Sequence, residues 1–110
     1  MTEHTDRELL ELAAKAAGMS RVKESAFREG GYVVQTHENE WTAWNPIADD
    51  GDALRLAVKC RFVVDTGSAS VSVHQNNGLR DIGFEWKNDD PYAATRRAIV
   101  RAAAELGAKT

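Results

Sequence analysis

Asn77-Gly78 constrains this chain more than any other dipeptide in it, because both residues tolerate the positive φ that a two-residue hairpin turn requires. Before it, Ala69, Val71 and Val73 alternate with Ser70, Ser72 and His74, the period of a strand with one apolar face. After it, Ile82, Phe84 and Trp86 share one face of a further strand while Asp81 and Glu85 point away. Arg61 to Asp65, ended by Thr66-Gly67-Ser68, precedes both, so residues 61 to 86 read as an antiparallel meander. A sheet of this kind must bury its apolar face against something, and the rest of the chain supplies helices.

The first helix is predicted over Asp6 to Ala17. Thr5 and Glu8 stand in the spacing of a capping box, Leu9, Leu12 and Ala13 begin an apolar stripe, and Gly18 offers a left-handed end. A second helix is expected over Gly51 to Cys60, opened by Asp49-Asp50-Gly51-Asp52, with Leu54, Ala57 and Val58 facing inward. The third starts at Asp90-Pro91, where an N-cap carboxylate precedes a proline whose missing amide costs nothing. Its inward stripe is Tyr92, Thr95, Ile99, Ala102, Ala103 and Leu106, and Gly107 ends it. The alanine-rich stripes of the first and last helices permit close backbone approach, to each other or to the sheet.

Between the first two helices, Ser20 to Gly31 suits a short helical turn or an ordered connection, broken by Gly30-Gly31. Tyr32 to Thr36 is β-branched and aromatic enough to be a strand, running toward Trp41 through a polar bend at His37 to Glu40. Trp41 and Trp44 then fall in a loop, because Asn45-Pro46 cannot continue a regular element. The expected fold is a single α+β domain over residues 1–110, with a largely antiparallel sheet of about four strands and three main helices. Leu9, Leu12, Leu54, Val58, Val71, Val73, Phe84 and Ile99 are its predicted core.

Composition narrows the function. With 17 Asp and Glu against 14 Lys and Arg, the net charge of −3 argues against a nucleic-acid coat. One cysteine, Cys60, allows no internal disulfide and fits a reducing compartment. The amino terminus lacks the basic-then-apolar pattern of a secretion signal, and no apolar run is long enough to span a membrane.

Few residues suggest chemistry. Asp49, Asp50 and Asp52 could hold a divalent cation through oxygen, but helix starts prefer such residues anyway, and capping is the stronger reading. His37 and His74 have no nucleophile motif beside them, and Cys60 at the end of an apolar helix reads as a buried small hydrophobe. No phosphate loop and no spaced set of zinc ligands is present, so no cofactor or metal is expected. Arg96, Arg97 and Arg101 put three positive charges on the last helix, available to an acidic partner or simply solvated. Trp41 and Trp44 can anchor a partner or form a lid over the end of the core.

Three segments, Asp6 to Gly18, Trp44 to Val58 and Asp90 to Ala104, resemble in that order the opening helix, central motif and carboxy-terminal helix of the phage ABA-sandwich domain family. These are small phage and prophage proteins of unknown function. The resemblance implies a three-layer α/β/α arrangement and a place in the host bacterial cytoplasm, and it carries no catalytic residues over. The expectation is therefore a non-enzymatic protein-binding module acting on a host bacterial protein. Trp41 and Trp44 would be its apolar anchors, with Arg97 and Arg101 as charged contacts. A homodimer is the structural alternative. A metal- or nucleotide-dependent hydrolase built on Asp49, Asp50 and Asp52 is the enzymatic one.

Overall fold

A computed structural model describes residues 5–19, 21–24, 31–35, 40–75 and 81–109. The elements run α1 (Asp6–Ala16), β1 (Arg21–Glu24), β2 (Tyr32–Gln35), β3 (Trp41–Ala43), α2 (Asp50–Lys59), β4 (Phe62–Asp65), β5 (Ser70–Gln75), β6 (Gly83–Trp86) and α3 (Pro91–Ala108). This is an α+β fold with three helices, as expected, but with six strands in two antiparallel sheets, β1-β2-β3 and β4-β5-β6. Residues 21–24 are a strand rather than a helical turn, and Trp41 lies in β3 rather than in a loop. Val22, buried between exposed Arg21 and Lys23, has the period of two that identifies the first of these. The Asn77-Gly78 turn falls outside the described residues, and β5 and β6 pair antiparallel on either side of it.

The helix ends follow local chemistry. At α1, the Glu8 amide donates to Thr5 Oγ1 (3.1 Å) and the Thr5 amide to Glu8 Oε1 (3.0 Å), a complete capping box. Gly18 takes φ +79°, and the Met19 amide folds back to the Ala14 carbonyl at 2.8 Å, closing the helix as its glycine predicts. Asp49 caps α2 through the Asp52 amide (2.8 Å), and Asp90 caps α3 through the amides of Tyr92 and Ala93.

The core is centred on α3, which packs against α1, α2, β5 and β6. It is buried on nearly every side, through Ala94, Ala98, Ile99, Val100, Ala102, Ala103 and Ala104. Small side chains make this possible by letting neighbours approach closely. A Cβ at Gly107 would overlap the Leu12 carbonyl of α1, and one at Gly83 would overlap the Ala98 carbonyl and lie 2.9 Å from the Ala102 methyl. Gly107 therefore does not end α3; the helix runs one residue beyond it, and the glycine is a crossing point.

That approach also inverts the expected face of β6. Val73 pairs with Gly83 and Val71 with Glu85, so Gly83 and Glu85 lie on the helix side with the buried valines. Phe84 and Trp86 turn to the opposite face, edge to face with centroids 5.2 Å apart, and both are exposed. With Val63 they leave that face uncovered among the described residues, so the implied second helical layer is not seen there. Further corrections concern the core. Leu54 and Val58 are exposed, because α2 buries Ala53, Leu56 and Ala57 instead. Leu12 is half-buried and Tyr92 is exposed, whereas Leu9, Val71, Val73 and Ile99 are buried as expected.

Candidate functional site

The two arginines expected as charged contacts lie apart from the two tryptophans. Arg97 lies 3.4 Å from Asp6 on α1, and Arg101 lies 2.7 Å from Glu85 on β6, so both tie α3 to a neighbouring element. Trp44 is 5% exposed and Trp41 39% exposed. They do not form a pair, because alternation along β3 puts Trp44 on the core side with buried Val22 and Val34, and Trp41 on the outside. Pro46 is fully buried near Trp44 in sequence, the arrangement expected of a core lid.

All three aspartates are engaged locally, and Asp49 and Asp52 both reach Arg55, at 3.9 and 2.6 Å. Asp49 caps α2, Asp50 meets Arg96 at 2.6 Å, and Asp52 accepts from the Asn45 amide (2.9 Å) and from Arg55 (2.6 Å). Among the described residues no three His, Cys, Asp or Glu side chains are grouped to hold a metal ion. His74 Nδ1 lies 3.5 Å from Asp81, and His37 falls outside the described residues. Cys60 is buried, and burial pushes its thiol pKa up while neighbouring Lys59 pulls it down.

What the structure does bring together is a groove along β3. The phase of the first sheet decides which backbone groups line it. The Trp44 amide donates to the Tyr32 carbonyl at 2.9 Å, so even-numbered residues of this strand bond to β2. Trp41 and Ala43 therefore aim their N–H and C=O groups away from β2, at an edge that no strand covers among the described residues. Beside that edge, Thr42, Ala43 and Trp44 face Arg55, Leu56 and Lys59 of α2 across a groove of about 770 Å³. The end of α1, Ala17 to Met19, closes it.

Among the described residues the groove holds one uncompensated cation. Asp52 neutralises Arg55, but Lys59 has no carboxylate partner there. Outside the edge, Lys23 Nζ sits 4.2 Å from the centroid of the Trp41 ring and the Arg21 guanidinium 5.9 Å from it, two cations on one aromatic. Arg21, Gln35 and Trp41 occupy one row across the sheet, which fixes this cluster by register. Sequence reasoning found Trp41 and Trp44 but missed Lys59, Lys23 and Arg21, because their association with β3 depends on a strand pairing that spans residues 21 to 43. No protein-family model, curated protein or solved structure matches the chain.

Proposed function

We propose that the chain is a protein-binding module that takes an extended, acidic segment of a partner protein as an added strand on β3. The observation that carries this reading is the edge of β3, open among the described residues, lying along a groove that holds the uncompensated Lys59. Strand addition supplies affinity through main-chain hydrogen bonds, here to the N–H and C=O of Trp41 and Ala43. Lys59 across the groove, and Lys23 and Arg21 around Trp41, favour carboxylates on the incoming segment. Trp44 forms part of the floor and Trp41 the rim, so both tryptophans serve the site in different ways. The resemblance to phage proteins supports a host bacterial protein as the partner. The hydrolase reading has less support, since its three aspartates are already engaged, Asp49 and Asp52 by Arg55 and by helix-start and loop amides and Asp50 by Arg96.

Selection of a yeast-displayed random peptide library, followed by affinity measurement on the recovered peptides, tests the proposal. Recovered sequences should be rich in Asp and Glu. Ala43→Pro removes a donor that faces the open edge and leaves the β2 ladder untouched, so the variant should fold yet lose binding. Lys59→Glu should weaken binding at least about tenfold, the size of one charge-assisted contact. Peptides without acidic bias, or equal binding to Ala43→Pro, would show the reading to be wrong.

A further inference from the structure

A second groove lies between α2 and the first turns of α3, over the end of β4, with a volume of about 540 Å³. Its walls are apolar: Ala53, Leu54 and Ala57 from α2, Val64 from β4, Tyr92 and Ile99 from α3. Leu54 is 64% exposed and Tyr92 70%, large apolar surfaces left in water on facing helices. Three charges stand at the rim, and two of them cancel. Arg96 is held by Asp50 at 2.6 Å and by the Ile47 carbonyl at 2.8 Å. Lys87 is different: its ammonium donates to the Thr66 carbonyl and has no carboxylate partner among the described residues.

We propose that this groove binds a small amphiphile, an alkyl or aryl carboxylate whose apolar body lies along Leu54, Val64 and Tyr92 and whose carboxylate meets Lys87. The volume falls within the roughly 300–1,000 Å³ usual for small-molecule sites, which combine apolar walls with a few orienting polar groups. A single uncompensated cation at the end of an apolar trough fits one negative charge on a hydrophobic body. A neutral hydrocarbon would leave that ammonium without a counter-charge, and a multiply charged phosphate would find no second free cation at the rim among the described residues. Contact with the ligand would also take the exposed faces of Leu54 and Tyr92 out of water. None of the residues lining this groove belongs to the β3 edge.

Decanoate and 1-decanol, titrated below their aggregation limits and followed by methyl NMR, separate the two contributions. Decanoate should shift Leu54, Ala57, Val64 and Ile99 in a saturable way, and decanol should bind at least about tenfold more weakly, as expected for loss of a charge-assisted contact. Lys87→Gln should bring decanoate down to the affinity of decanol. Leu54→Asp, on an exposed wall, should weaken both ligands at least about tenfold without loss of folding. The proposal is overturned if decanoate gives no saturable shift, if it binds Lys87→Gln as tightly as the parent chain, or if the shifts centre on Val63, on the face of Phe84 and Trp86.

Discussion

Gly107 sits where two helix backbones cross, and its absent side chain is what allows the crossing. In an exposed helix, replacing glycine by alanine gains about 1 kcal/mol from the lost backbone freedom of the unfolded chain. Here the added methyl would overlap the Leu12 carbonyl, a backbone atom that cannot rotate away. Overpacking costs typically about 1–3 kcal/mol or more when neighbours must shift, so the steric effect decides the sign. Gly107→Ala should destabilise the chain by about 2 kcal/mol in urea unfolding, opposite in direction to the propensity effect. A stabilised variant would mean that α1 and α3 are further apart than described.

At the scale of elements, α2 shows how helical periodicity leaves orientation open. Leu54, Ala57 and Val58 make one apolar stripe and Ala53, Leu56 and Ala57 another, rotated by about one residue, or roughly 100°. The second is buried because α2 is covered on two sides: Ala53 and Ala57 face the α3 groove, and Leu56 faces Trp44. Removing the Leu56 side chain should therefore cost about 2–5 kcal/mol, as for other buried leucines. Leu54→Ala should change stability by no more than about 0.5 kcal/mol, the range of ordinary surface substitutions. Paired urea titrations of the two variants check the assignment, and equal losses would reverse it.

For the molecule as a whole, Cys60 reports on the intact fold. It lies where α2 turns into β4, and its carbonyl accepts from the Gln75 side chain of β5 at 3.5 Å. Burial raises its thiol pKa above the ordinary value of 9.0, with Lys59 offsetting part of the rise. The folded chain thus holds the proton more tightly than the unfolded chain. The resulting stability is fully present below the ordinary thiol range and is lost as pH climbs through the raised folded value. Unfolding midpoints should fall more steeply above pH 9 in the parent chain than in Cys60→Ala, and an identical pH dependence would argue against a buried thiol. Ion pairs such as Arg97 with Asp6 also join distant parts of the chain, but half-exposed pairs contribute only about 0–1 kcal/mol each. Packing around α3 is what unites the three helices with the second sheet, and the first sheet joins through α1.

Helix starts, the end of α1 and the buried valines of β5 were legible in the sequence because each depends on a few adjacent residues. Thr5 with Glu8, Gly18, Asp49 and Asp90 act within about one turn, and Val71 and Val73 share a face whatever lies above it. Tertiary structure decided which apolar stripe of α2 is buried, that Phe84 and Trp86 face away from α3, and that Gly107 is a crossing point rather than a terminator. It also decided the candidate site, since the edge of β3 shares a groove with Lys59 only after two strand pairings and the docking of α2. Short-range rules specify hydrogen-bonding partners, whereas burial depends on which surfaces arrive from elsewhere in the chain, and close approach at Gly83 and Gly107 settled that here.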